Sequence, residues 1–216
     1  MLMAKLKLHW TRGTSSLLMI SPYAYFDALS ICKRLQSIRE NAPLGEIYLF
    51  SYLSCLLSLY KQRPLSYWSY GFSVTANGYP YSVELDSAIA ILLGHGLIDQ
   101  NVQNVSLTEA GTEEHRLLSE LSQNHERDIY IEGACAASLA VPVGTIRRNI
   151  ASVAPIEGAL ALSQSRLLLT PSDLEDTCEQ FGQLSSIIGV EITDLMIPAI
   201  FWLSYLSKVR ERDSGE

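Results

Sequence analysis

The sequence predicts a mainly α protein with one small β hairpin and a helical bundle towards its C-terminal end. Three observations carry this. Apolar residues recur at spacings of three and four through several long segments. Helix-opening residues stand at the head of these segments: Ser21-Pro22, Ser82, Thr108 and Thr170-Pro171. Only Leu97–Thr108 reads as a pair of adjoining strands.

The elements follow in order. After an apolar opening, Ser21 and Pro22 start a helix that should reach about Asn41. Phe26, Leu29, Leu35 and Ile38 form its dry face, and Lys33, Arg34, Arg39 and Glu40 its wet one. "NAPLG" breaks it. "EIYLFSYLSCLLSLYKQR" is a second helix, apolar nearly all round and therefore central. Its Ser51, Ser54 and Ser58 make a narrow hydroxyl stripe, either a close helix contact or serines bonded back to their own backbone. "RPLSYWSYGFSVTANGYPYS" is dense in aromatics, with a short strand near Phe72–Thr75 and a turn at Asn77-Gly78. Ser82 caps a third helix whose apolar face is Leu85, Ala88, Ile89, Leu92 and Leu93, and Gly94 and Gly96 end it. "LIDQ" and "VSLT" are two strands joined by "NVQN". Thr108 caps the next helix, which continues through "EEHRLLSELSQ". From Arg127 to Leu169, small residues and interspersed Pro142, Gly144, Pro155 and Gly158 predict several short helices. Thr170-Pro171-Ser172-Asp173 opens a helix stopping at Gly189. A last helix covers roughly Thr193 to Arg210, kinked at Pro198, with a frayed tail "RERDSGE".

Composition narrows the function. The chain has 216 residues, 48% apolar and 18% charged, with a net charge of −7. That is globular, and its acidity disfavours nucleic acid as a direct partner. Cys32, Cys55, Cys135 and Cys178 are far apart, so neither a zinc knuckle nor a redox pair is spelled. They read as buried thiols in a reducing cytoplasm. Lys5 and Lys7 imitate a signal-peptide start, but His9, Trp10 and Arg12 interrupt the run that should be apolar. The 14 residues between Glu46 and Lys61 fall short of a membrane span, which needs roughly 20. The run "LMIPAIFWLSYLS" is also too short and reads as a helix buried on nearly all sides.

Chemistry is sparse. There is no phosphate-cradling glycine loop, no nucleophile elbow and no helical histidine pair. His115 and His125 read as solvated helix residues, and Glu109, Glu113 and Glu114 as carboxylates favoured at a helix start. No catalytic, cofactor or metal residue is therefore predicted. The aromatic group around Tyr67, Trp68 and Tyr70 is either a core plug or an interface anchor. Arg147-Arg148 is the one tight cationic pair, read as a solvated face, a salt bridge, or a contact to an acidic partner or one phosphate.

"ELDSAIAILLGHGLI", "LIDQ", "VSLT" and "LTEAG" together resemble the third helix, wing strands and exit of a winged-helix domain, covering roughly Pro43 to Leu118. DNA readers of that class present arginine, lysine, asparagine or glutamine from the third helix. Here that helix offers Glu84, Asp86 and Ser87, and the wing Gln100, Asn101, Gln103 and Asn104. The fold is kept and the DNA-reading chemistry is missing. The longer segment "PLSYWSYGF…YSVELDSAIAILLGHGLI…VSLTEAG" resembles the small middle components of bacterial ABC three-component (Lamassu-type) defence systems. Those sit between an SMC-like ATPase and an effector, often a nuclease, much as acidic tandem winged-helix subunits serve bacterial SMC complexes. The second half of this chain shows no clear second wing.

The resulting expectation is an N-terminal helical segment (1–42), a winged helix (43–118) and a C-terminal helical domain (119–216). The resemblance implies a non-catalytic accessory subunit that docks protein partners, touching DNA at most through the complex, with no membrane and no cofactor. Tyr67, Trp68 and Tyr70 are the first expected anchor, Phe201, Trp202 and Tyr205 the second, with Arg147 and Arg148 as a further contact. The alternatives are a winged-helix DNA-binding regulator, needing a basic patch assembled from Lys33, Arg34, Arg147 and Arg148, and an enzyme with an unrecognised site.

Overall fold

A computed structural model describes residues 21–39, 42–102, 104–189 and 191–213. It is mainly helical, with two small antiparallel sheets. The apolar opening and the signal-like Lys5 and Lys7 lie outside the described residues.

Helix α1 (Pro22–Ile38) begins as its residues dictate: the Ser21 hydroxyl accepts from the Ala24 amide, and Pro22 needs no amide partner. A two-residue strand β1 (Ala42–Pro43) leads into α2 (Leu44–Tyr60). Every residue of α2 from Ile47 to Tyr60 is buried, so α2 is the central helix. Two of its three stripe serines bond back to backbone: Ser54 to the Phe50 carbonyl and Ser58 to that of Cys55. Ser51 shares a 2.6 Å hydrogen bond with the Tyr70 hydroxyl.

After a 3-10 turn (Leu65–Tyr67), strands β2 (Ser73–Val74) and β3 (Pro80–Tyr81) pair across the turn containing Gly78, whose φ is +75°. Helix α3 (Val83–Gly94) is capped by Ser82 and followed by Gly96 at φ +66°. Strands β4 (Ile98–Asn101) and β5 (Asn104–Leu107) form the expected hairpin, and β1 adds to its free side in the order β1-β5-β4. Thr108 caps α4 (Glu109–Ser119) by accepting from the Gly111 amide. A Cβ at Gly111 would stand 1.9 Å from the Leu97 carbonyl oxygen, so only glycine permits this approach of α4 to the hairpin.

The second half departs from expectation in three places. The helix does not run on through "SELSQ": α4 ends at Ser119 and α5 (Ser122–Ala140) starts anew. The stretch after Arg127 is then not all short helices. Helix α5 has 19 residues, followed by short α6 (Val143–Ala151) and α7 (Ala154–Ala161). Its small residues are contact points rather than breaks: a Cβ at Gly133 would lie 2.4 Å from Leu195 Cβ. Third, Pro198 kinks nothing, because α9 (Met196–Asp213) begins at Met196 and places it in the first turn, where no amide is required. Helix α9 also runs past Arg210, where a frayed tail was expected.

Strand β6 (Arg166–Leu167) pairs with β2 and so joins the second half to the aromatic segment. Helix α8 (Pro171–Ile188) opens with a capping box between Thr170 and Asp173 and ends at Gly189. Helix α5 packs on α1, α2 and α9, so one core runs through both halves. Among the described residues no single helix is long and apolar enough to cross a membrane. Cys32, Cys55 and Cys135 are buried, and desolvation pushes the Cys32 and Cys135 thiols up to about 12. Cys178 is exposed, contrary to the expectation for all four thiols.

Candidate functional site

The first expected anchor lies inside the protein. Trp68 has no exposed surface and Tyr70 is 5% exposed; Tyr67 is half-buried, its hydroxyl donating to Glu126 at 3.3 Å. Trp68 and Tyr70 lie against a buried charge pair that sequence reasoning missed. Arg127 on α5 holds Asp27 on α1 through two bonds, Nε–Oδ1 at 2.6 Å and Nη2–Oδ2 at 2.7 Å. The guanidinium also donates to the Trp68 carbonyl at 3.0 Å and lies 3.7 Å above the Trp68 ring. Tyr70 donates to Asp27, which leaves Ser51 to donate to Tyr70. Burial pushes the Asp27 carboxyl above its ordinary range while Arg127 pulls against it. Burial also weakens the Arg127 charge, but Asp27 more than offsets this and holds the guanidinium above its usual value. The bidentate geometry is that of a charged pair. Beside it, Asp128 accepts from Ser30 at 2.5 Å and Arg34 at 2.6 Å, again tying α5 to α1. No motif announces these pairs, because the partners stand about a hundred residues apart.

The second expected anchor divides across α9. Ala199, Trp202, Leu203 and Leu206 face inward, one helical stripe. Trp202 is 3% exposed, packs on Phe181 and donates to Gln180 Oε1 at 3.1 Å. Phe201 and Tyr205 sit on the other side, 51% and 46% exposed. Helix α9 is therefore not buried on nearly all sides, as its composition suggested. Its free side and α8 enclose an apolar groove of about 370 Å³. Leu184, Ile200 and Trp202 lie within it, and Ile187, Phe201 and Tyr205 stand at its edges. Gln180, Gln183, Ser204 and Lys208 supply its polar atoms.

The face of α3 and its hairpin is acidic and neutral. Glu84 and Asp86 are exposed, Asp86 accepting from the Tyr48 hydroxyl at 2.6 Å, and Ser87 bonds back to the Val83 carbonyl. Asp99, Gln100, Asn101 and Val102 are exposed on the hairpin. The four basic residues considered for a DNA-binding patch have different neighbours. Arg34 pairs with Asp128, and Lys33 lies close enough to His115 to influence its charge. Arg147 and Arg148 are exposed on α6, where Arg147 donates to the Tyr79 hydroxyl and Arg148 to Thr145. His115 is not a fully solvated residue. It is half-buried, stacked on Phe26 at 5.9 Å, and desolvation holds its pKa below the ordinary value. His125 is exposed. Among the described residues no group of three or more His, Cys, Asp or Glu side chains is arranged to hold a metal ion.

Compared with known proteins, the chain matches no family model, no curated protein and no solved structure.

Proposed function

We propose that this chain is a non-catalytic accessory subunit of an SMC-like ATPase complex in bacterial anti-phage or anti-plasmid defence, joining ATPase to effector by protein contacts. The observation that carries the docking role is the α8/α9 groove. Three large apolar side chains, Ile187, Phe201 and Tyr205, stand 77%, 51% and 46% exposed around one apolar depression. Scattered exposed apolar residues are ordinary; a cluster about a concave floor marks a contact surface.

The element order supports a winged-helix reading of the first half: α1, β1, α2, then an intervening β2–β3 pair, α3 and the β4–β5 hairpin, with β1 completing a three-stranded sheet. The carboxylates on α3 support a protein-docking use of that unit over DNA reading, since phosphate binding draws its free energy from cations that release counterions. The identity of the partners rests on the resemblance to Lamassu-type middle components.

The test is a pull-down of the tagged chain from its native host, wild type beside Phe201→Ala and Tyr205→Ala. Both side chains are half-exposed, so circular dichroism should show both variants folded. The expected result is an ATPase and an effector recovered with the wild type and lost from the variants. Truncating an interface anchor typically costs about 2 kcal/mol or more in binding, roughly thirtyfold in Kd. A wild-type chain recovered alone and monomeric overturns the proposal.

A further inference from the structure

Resting on that accessory role, we infer that the α8/α9 groove takes an amphipathic α-helix of a partner protein, seated with a carboxylate against Lys208. The groove itself specifies the secondary structure of its occupant. On one wall Gln180, Gln183, Leu184 and Ile187 recur at helical spacing along α8; on the other Ile200, Phe201, Ser204, Tyr205 and Lys208 do so along α9. Each wall spans about two turns, the length over which a docked helix presents three or four anchors.

Both walls are helices, with their backbone groups spent inside their own turns, so neither offers an edge to a strand. Three of the polar side chains each spend one group inside the protein. Gln180 accepts from Trp202, Gln183 donates to Glu179, and Ser204 donates to the Ile200 carbonyl. An extended peptide laid here would press unpaired amides and carbonyls against Leu184, Ile200 and Phe201. A helix brings its own hydrogen bonds and presents only side chains.

Charge sets the rest. Lys208 is the one ionised side chain lining the groove, it is exposed, and among the described residues it forms no ion pair. In a chain of net charge −7, no acidic side chain lines this groove. An acidic residue at the end of the partner's apolar stripe meets Lys208 there, while a basic one meets an ammonium of its own sign.

The experiment uses the complex isolated from its native host, with Ser204 replaced by the photoreactive amino acid p-benzoylphenylalanine. Irradiation and peptide mapping should place the cross-links at positions three or four residues apart in one partner segment carrying Asp or Glu. Lys208→Glu should weaken assembly about tenfold, the scale of losing one exposed attraction and gaining a repulsion. Changing the mapped carboxylate to Lys should restore it. Cross-links to a second copy of the chain, to its own residues 1–20, or to a segment without a carboxylate overturn the inference. So does an intact complex with no cross-link, or a charge reversal that no partner charge rescues. In each of these cases a complex still holding the ATPase leaves the accessory role standing; loss of the ATPase from the unmodified chain sinks that role instead.

Discussion

Replacing Arg127 by methionine isolates the Asp27–Arg127 pair. Arg127 is 1% exposed and Asp27 fully buried, so solvent does not screen them. The methionine side chain keeps much of the volume above the Trp68 ring, and the loss is mainly one of charge. Asp27 is then left with Tyr70 alone as a donor, and the Trp68 carbonyl loses its 3.0 Å bond. Breaking a buried pair by removing one partner costs about 3–5 kcal/mol. For a chain of this size that is roughly 6–20 °C in melting temperature, at about 2–4 °C per kcal/mol. The double variant Asp27→Leu with Arg127→Met removes both charges and should be more stable than Arg127→Met alone by about 2 kcal/mol or more. Urea titrations of wild type, both single variants and the double variant, followed by circular dichroism, give the cycle. An Arg127→Met variant that loses less than about 1 kcal/mol, or a double variant as unstable as the sum of the singles, refutes the account of a desolvated, coupled pair.

Gly111→Ala should destabilise by about 1–3 kcal/mol, the cost of forced overpacking, because its Cβ meets the Leu97 carbonyl 1.9 Å away. A thermal melt checks this, and an unchanged midpoint would mean that α4 shifts freely. His115 should make stability fall on acidification. Its folded pKa lies below the ordinary 6.5, so the unfolded chain takes up the proton first. Its contribution is therefore complete above pH 6.5 and is lost as pH falls through the folded value. His115→Gln should narrow the difference between melts at neutral and mildly acid pH, and an unaltered difference would remove His115 as the cause. In a low-salt gel shift, α3 should not hold duplex DNA, having carboxylates and no cation on its exposed face. Micromolar binding that substitutions on the exposed face of α3 abolish, and substitutions in the hairpin leave unchanged, would count against that.

Local signals in the sequence translate well. The caps at Ser21, Ser82, Thr108 and Thr170, the apolar α2 and the β4–β5 hairpin all depend on residues a few positions apart, where side-chain chemistry acts directly on the backbone. Helix α5 is harder to read, because Gly133 is a poor helix former and small side chains such as Ala134 and Ala137 mark no distinct dry face. In the fold they bring α5 close to its neighbours, Gly133 against Leu195. The candidate site is half legible. Composition places large apolar side chains on the last helix, but adjacent residues on a helix point about 100° apart. Whether Phe201 or Trp202 faces inward is decided by Phe181 and Gln180 on another helix. The same limit hides Trp68, whose surroundings are set by Arg127, 59 positions away.

The reach of the Asp27–Arg127 bond also has a meaning in time. Asp27 is synthesised 100 residues before its partner. At about 5–20 residues per second, that leaves it without its counter-charge for roughly 5–20 s on the ribosome. Through that interval the α5-facing side of α2, apolar and dry in the finished fold, has nothing to lie against. The core around α2 is thus completed only when α5 arrives.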